Sequence, residues 1–595
     1  MVKHTINERT TNRIAPDGPH SRGGRRGIPR LFALFLIVFG LSACRAQTPA
    51  PVATAAPEPT ATPAAPAPTP TPLGGPVAPV RGLPQASDGL SWWNNTVFYE
   101  VFVRSFYDSN DDGIGDLNGL ISKLDYLNDG DPATTNDLGV TGLWLMPIMP
   151  SPSYHGYDIT DYYRVNPEYG SNEDFKRLLA EAHRRGIRIV IDMVLNHTSN
   201  EHPWFLEAQK PASPRADWYI WANENPLYPG PWGQTVWHRL GGRFYYGIFW
   251  EGMPDLNYRN AEVVAEMDKV GAFWLQEMGV DGFRLDAARY ILENDQEQAS
   301  TPETHQWWKR YDAAMKAVEP DALLVGEVWA KTKEVAPYVQ NGELDLNFDF
   351  DLANTLVDTA RTGFAMSAGV IQGFVWKSYP PNQFAVFLTN HDQNRVMSTL
   401  GDDVAKARLA AALLLTAPGV PFIYYGEEIG MIGVKPDEQI RTPMQWTAAE
   451  KAGFTTGAPW IEIKPNYTTS NVQTESADPT SLLAYYRALI HLRNDHEALR
   501  VGDYTKLDAG DNKLYAFLRR SAQETVLVLI NLGDAPITTY RLPLKQDVLV
   551  GAASPVELLT QTPLPPLPLP PQAGESSDYH PLAELAAQTA YIVRW

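Results

Sequence analysis

Three carboxylates in this 595-residue chain stand where short apolar runs end. Asp286 closes Gly282-Phe283-Arg284-Leu285, Glu327 closes Ala322-Leu323-Leu324-Val325-Gly326, and Asp392 follows the run from Phe384 to His391. Runs of this length bounded by Gly or Pro read as fully buried parallel strands. In a chain that alternates strands and helices, an acid at such a strand's carboxyl end occupies a catalytic rather than a stabilising position. One such acid is ordinarily a helix cap or an arginine's partner. Three of them, each beside an Arg, His or Trp, point to shared chemistry. Cleavage of a glycosidic bond with retention needs one ionised carboxylate to attack and one protonated carboxyl to release the leaving oxygen. Arg284 lies two residues before Asp286 on the same strand face, which favours an ionised nucleophile there. Glu327, between an apolar run and Val328-Trp329, is expected to be desolvated and raised toward the range of a general acid. Asp392, beside His391, suits the binding of sugar hydroxyls and the stabilisation of positive charge.

The elements that must position these groups recur along the chain. Apolar strands are expected at 97–103, 142–146, 188–193, 282–285, 323–326, 345–350, 384–388 and 422–425. Helical patterns fall between them, for example at 172–185, 261–278, 306–317 and 403–416. Eight strands alternating with helices predict an α/β fold, a (β/α)8 barrel of the TIM type. One interval breaks the rhythm: 197–256 shows no clear helix and carries six Trp, which predicts an inserted subdomain after strand 3 on the catalytic face. After a helix at 481–493 the pattern turns to strand period, with turns at 508–511 and 533–534, predicting a C-terminal all-β sandwich. The expected division is 89–196 with 257–498 for the barrel, 197–256 for the insertion and 499–595 for the sandwich.

Bulk properties narrow the partners. A net charge of -20 and a pI near 5.1 argue against nucleic acid or an anionic membrane surface as partner. With 17 Trp and 27 Tyr, flat faces for sugar rings are plentiful, as are fillers for a large core. A single cysteine excludes an internal disulfide framework. That cysteine, Cys44, follows basic residues, the apolar run 31–39 and Leu41-Ser42-Ala43, which together read as a secretory signal over 1–44. The segment 45–88 is largely Pro, Ala, Thr and Gly, a semi-rigid spacer.

Four motifs occur in order: Asp192-Met193-Val194-Leu195-Asn196-His197, Gly282-Phe283-Arg284-Leu285-Asp286, Gly326-Glu327-Val328-Trp329 and Phe387-Leu388-Thr389-Asn390-His391-Asp392. They closely resemble the α-amylase family of glycoside hydrolases, over about Ser91 to Trp595. The resemblance implies Asp286 as nucleophile, Glu327 as acid/base and Asp392 as transition-state stabiliser. It implies substrate contacts from Tyr157, Asp158, His197, Arg284, His391, Asp437 and Arg441. Met253-Pro254-Asp255-Leu256-Asn257 resembles the group between oligo-1,6-glucosidases and neopullulanases, which includes α-amylases, some of them lipoproteins. Ala287 resembles enzymes cutting α-1,4 bonds, where α-1,6 specialists carry Val. Arg289-Tyr290 departs from the Lys-His of many α-amylases and leaves the leaving-group side open.

The expected activity is hydrolysis of α-1,4-glucan. Neopullulanase, cyclomaltodextrinase, α-glucosidase and trehalose synthase are the enzymatic alternatives, and a glucan-binding accessory protein the non-enzymatic one. The loop Asp108 to Asp116 alternates oxygen donors around Gly113, as a calcium loop does, but Gly119 replaces the acid of an EF-hand. The resemblance implies Asp108, Asn110, Asp112, the Ile114 carbonyl and Asp116 as calcium ligands, with no organic cofactor. Leu-Ser-Ala-Cys resembles a bacterial lipoprotein signal with Cys44 as the lipidated residue. It implies a monomer held outside the cell by its lipid alone, with α-glucan as partner and no nucleic acid.

Overall fold

The computed structural model describes residues 82–551 save 88, then 554–568 and 575–595; the signal segment, Cys44 and most of the spacer lie outside these. Eight parallel strands form the central sheet: β1 (Phe98–Val101), β2 (Gly142–Leu145) and β3 (Arg188–Met193), then, beyond an insertion containing β4 to β6, β7 (Gly282–Leu285), β8 (Leu323–Gly326), β9 (Leu346–Asn347), β10 (Ala385–Val386) and β11 (Val420–Tyr424). Their order, β10-β11-β1-β2-β3-β7-β8-β9, is closed by a parallel bridge between Phe348 and Ala385. The chain is therefore a (β/α)8 barrel.

Strand alternation sorts the side chains. Phe98, Trp144, Val190, Leu323, Val325, Leu346, Phe387 and Phe422 share one buried cluster, the barrel interior. Tyr99, Val101, Leu143, Leu145, Ile189, Ile191, Phe283, Leu285 and Leu324 join the outer cluster beneath the helices. Register extends the inner phase to polar residues: Glu100 pairs with Trp144, Trp144 with Val190, Asp192 with Arg284, and Arg284 with Val325. Gly282 is required by close approach, since a Cβ there would sit 2.2 Å from the Leu323 carbonyl oxygen.

The helices have local causes. Asn172–Arg184 opens with a capping box between Ser171 and Asp174. The helix expected at 306–317 runs Pro302–Val318, because Thr301 caps it and Pro302 occupies its first turn. The helix expected over 261–278 is α-helical only for Ala261–Ala272. It widens into a π turn at Phe273–Met278, where Phe273 and Trp274 pack on Tyr163 and Phe175, and stops at left-handed Gly279. The strands expected at 345–350 and 384–388 shrink to two residues each, since only there does the closing edge of the barrel pair.

The insertion does contain a short helix, Pro203–Ala208, started by a proline and capped by His202. It also holds a three-stranded antiparallel sheet of β4 (Trp221–Ala222), β5 (Trp237–Leu240) and β6 (Arg243–Tyr246), ordered β4-β6-β5. Bridges His197–Asp255 and Tyr219–Leu256 tie both ends of the insertion together.

At the carboxyl end, β12 (Asp503–Leu507), β13 (Leu514–Arg520) and β14 (Thr525–Asn531) precede β15 (Pro543–Leu544), β16 (Val556–Glu557), β17 (Thr562–Pro563), β18 (Ser577–Asp578) and β19 (Thr589–Arg594). Six form an antiparallel sheet, β12-β13-β14-β19-β16-β17, and β15 pairs with β18. Period two again decides the packing: Leu514, Ala516, Leu518, Leu527 and Leu529 face a separate core with Leu542 and Tyr579. Tyr515, Phe517, Val526, Val528 and Ile530 join the barrel's outer cluster.

Candidate active site

Asp286 lies two residues beyond Arg284, and Glu327 two beyond Val325, so both continue the inward phase past the ends of β7 and β8. They meet at one guanidinium. Arg284, fully buried, donates through Nη1 to Asp286 at 2.7 Å and to Asp192 at 2.8 Å, while its Nη2 lies 3.2 Å from Glu327. The Ala287 amide also donates to Glu327, at 3.2 Å. Burial raises the Glu327 carboxyl; Arg284 opposes this, Asp286 and Asp392 reinforce it, and the group titrates at about 7. That value suits a proton donor near neutrality.

Asp392 sits in the opposite environment. Burial would raise its carboxyl, but His391, Arg441 and Arg284 outweigh that and hold it well below the usual carboxylate range. Arg441 donates to Asp392 at 2.8 Å and to the His391 carbonyl at 2.9 Å, and His391 Nε2 lies 3.2 Å from Asp392. Burial would lower His391, yet Asp392 and Glu100 carry it to about 10. Its Nδ1 bonds to buried Glu100, and its ring lies under Tyr157, with centroids 5.6 Å apart and planes 15° apart.

These groups border a cavity of about 820 Å³. Asp286, Glu327, Asp392, Tyr157, His197, Asp437 and Arg441 line it, as expected from the sequence. Asp437 is held by Arg441 at 3.3 Å and Lys435 at 2.8 Å. Arg284 and His391 lie beneath the lining, bonded to the acids. Asp158 is placed elsewhere: it is buried and accepts from the hydroxyls of Ser151 and Ser153, bracing the loop that carries Tyr157. Aromatic rings crowd the remaining wall, with Trp232 stacked on Phe249 and Trp329 stacked on Phe350 at 4.6 Å.

Sequence reasoning missed four groups: Glu100, Trp144, Asp192 and His155. Asp192 was visible in its motif without a role; burial raises it to about 6, Arg284 opposing, and it accepts from Tyr157 at 2.9 Å and Trp144 at 3.3 Å. Glu100 was legible only as an acid inside the apolar strand Phe98–Val101. His155 lines the cavity and stacks on Tyr157.

The loop from Asp108 to Asp116 is a run of side-chain-to-backbone turns. Asp108 accepts the amides of Asn110, Asp111 and Gly113 and the Thr455 hydroxyl, Asn110 that of Asp112, and Asp112 that of Ile114. Asp116 caps the helix Leu117–Ser122 through Gly119 and binds Ser109. Among the described residues, no three His, Cys, Asp or Glu side chains gather as a metal site on their own. The expected set is all oxygen and mixes in an amide and a carbonyl. Asn110 and Asp112 each use one oxygen once within the loop, so the donor set fits a hard cation.

Comparison with known proteins decides the family. The alpha-amylase catalytic-domain profile matches residues 100–502. The chain belongs to the alpha-amylase family of glycoside hydrolases. "Alpha-amylase 3" of Dictyoglomus thermophilum is 42% identical over 451 residues, covering 74% of this chain and 85% of its own. An oligo-1,6-glucosidase of Parageobacillus thermoglucosidasius is 34% identical over 536 residues, covering 76% and 92%. The crystal structure of alpha-amylase from H. orenii aligns with a TM-score of 0.73 and 40% identity, over 84% of this chain and 99% of that one. The chain is thus a glycosidase, and the relatives it matches bear the names of enzymes with different activities.

Proposed function

We propose that the chain is an α-amylase-type enzyme that hydrolyses α-1,4-glucosidic bonds of starch-like glucans with retention. The reading rests on one observation above all: Asp286 and Glu327 share Arg284 at the edge of the cavity, with Glu327 titrating at about 7. In the first step the Asp286 carboxylate attacks the anomeric carbon while Glu327 protonates the glycosidic oxygen, so the leaving chain departs as an alcohol. In the second, Glu327 takes a proton from water, whose oxygen displaces Asp286 from the same carbon. Asp392, held ionised by His391 and Arg441, stabilises the cationic transition state. Two amylases among the compared proteins, and Ala287 beside the nucleophile, favour the α-1,4 bond.

The relative named as an oligo-1,6-glucosidase supplies the rival reading. Incubation with soluble starch, pullulan, cyclodextrin, maltose and isomaltotriose, reading product sizes and the first anomer by NMR, separates them. Rapid loss of starch chain length with α-anomeric products is the expected result. Preference for pullulan or cyclodextrin, release of glucose alone, or conversion of maltose to trehalose would each move the enzyme to a rival activity. Glucan binding without turnover would overturn catalysis.

The same proposal places the enzyme outside a bacterial cell, as a monomer tethered by acylated Cys44, without nucleic acid or an organic cofactor. Calcium would be held by Asp108, Asn110, Asp112, Asp116 and the Ile114 carbonyl, where it supplies rigidity to the loop after β1 rather than chemistry. Labelled fatty acid incorporated into the wild type and not into Cys44→Ser tests the tether.

A further inference from the structure

The helix Ala365–Ser378, on the barrel's outer side next to β12 and β13, breaks the rule that surface helices turn apolar residues inward. Met366, Val370 and Phe374 recur every four residues along one stripe, and Phe364 precedes them; all four are between 47% and 66% exposed. Gly369 and Gly373 leave a shallow groove of about 530 Å³ beside the stripe, bordered by Lys377 and Lys506. Lys506 lies across the helix, since a Cβ on Gly369 would sit 2.5 Å from its Cε. Lys513 places its ammonium 4.3 Å over the Phe364 ring. Among the described residues none of these three lysines forms an ion pair. Of the acids nearby, Asp351 and Asp358 on the preceding helix, Phe350–Thr362, are paired with Lys331 and Arg361, each at 2.8 Å, and Asp511 accepts the backbone amide of Lys513.

We propose that this face docks on an anionic lipid surface. Protruding apolar side chains rimmed by unpaired lysines are what an interfacial helix presents: rings and Met enter the acyl boundary while ammonium groups reach lipid phosphates. Charge complementarity decides the occupant. A second copy docked face to face would bring the same lysines against these like charges, and a neutral glucan gives three ammonium groups no anion to meet. The overall negative charge does not forbid the contact. Charges beyond a Debye length of about 8 Å are largely screened at physiological salt, so the surface senses the face it touches. The proposal is independent of acylation at Cys44.

The test uses the full chain with Cys44→Ser and Met366→Cys, giving one thiol for an environment-sensitive dye on the stripe. With vesicles of mixed phosphatidylglycerol and phosphatidylcholine, dye emission should shift to the blue, and added salt should reverse it. Lys377→Glu, Lys506→Glu and Lys513→Glu together should weaken that binding roughly 100-fold or more. Turnover should be unchanged, because none of these residues lines the catalytic cavity. No shift on anionic vesicles overturns the proposal. So does an equal shift on pure phosphatidylcholine that ignores the lysines. A shift that grows with protein concentration in the absence of vesicles assigns the face to a second copy and overturns it too.

Discussion

Arg284 Nη2 lies 3.2 Å from Glu327 Oε2, a separation at which a cation ordinarily lowers a carboxyl. Glu327 nevertheless titrates at about 7, because burial and the nearby charges of Asp286 and Asp392 exceed the pull of a guanidinium already committed to Asp192 and Asp286. As the proposed general acid Glu327 works protonated, so kcat/KM should fall as pH rises through about 7. Glu327→Gln should remove this limb and lower turnover of glucan by roughly 10²- to 10⁴-fold. Aryl glycosides with acidic phenol leaving groups should lose far less in their first step. Paired pH profiles on the two substrates check this, and an alkaline limb surviving in the variant would falsify the assignment.

Asp286→Asn keeps the shape of the site and removes the attacking charge. Turnover should drop roughly 10⁴-fold or more, while maltooligosaccharide affinity by calorimetry stays within a few-fold. Residual activity near that of the wild type would point to another nucleophile.

Glu427 is buried and accepts from Tyr486 at 2.9 Å; burial, opposed by that bond, raises its carboxyl from 4.5 to about 8. A carboxyl raised on folding binds its proton more tightly in the native state, so its contribution is whole below about 4.5 and is lost as pH climbs to about 8. At about 1.36 kcal/mol per pKa unit, the loss is on the order of 5 kcal/mol. Glu427→Gln keeps an oxygen for Tyr486 and cannot ionise. Its melting temperature should therefore exceed that of the wild type above pH 8 and match it near pH 5. Equal pH dependence in both proteins would locate the titration elsewhere.

Much of this site was legible because barrel chemistry sits where strand period and strand end coincide. Asp286 and Glu327 could be read from apolar runs, and period two from Arg284 and Val325 places them inward. Glu100 and Trp144 could not be assigned, since their partners His391 and Asp192 are 291 and 48 residues away. The sheet of the insertion escaped for a similar reason: two-residue β4 pairs with β6 across more than twenty residues, too little pattern to register locally. Asp158 shows the converse, a motif neighbour whose carboxylate is consumed by Ser151 and Ser153.

Trp329 projects into the cavity half-exposed, fixed from behind by stacking on Phe350, while Arg289 donates to its carbonyl at 2.9 Å. A rigid ring held this way suits the apolar face of a sugar outside the cleaved bond. Trp329→Ala should raise KM about 3- to 10-fold, the worth of one aromatic contact, with kcat changed less than twofold on long chains. A loss confined to kcat would instead make the ring part of the transition-state machinery.

The loop after β1 gives the last prediction. Its turns are already closed by backbone amides and by Thr455, so removing calcium should loosen the loop rather than unfold the chain. Binding to the native state alone adds about 2.7 kcal/mol at a hundredfold excess over Kd, which should appear as a melting temperature several degrees higher with calcium than with a chelator. Asp112→Ala deletes a proposed ligand whose only bond within the loop is the Ile114 amide, so the variant should lose the calcium increment while its chelated melting temperature stays close to that of the chelated wild type. Activity should follow the same pattern at temperatures near the transition and be indifferent to chelation well below it. Identical melting with and without chelator in the wild type would remove calcium from the loop.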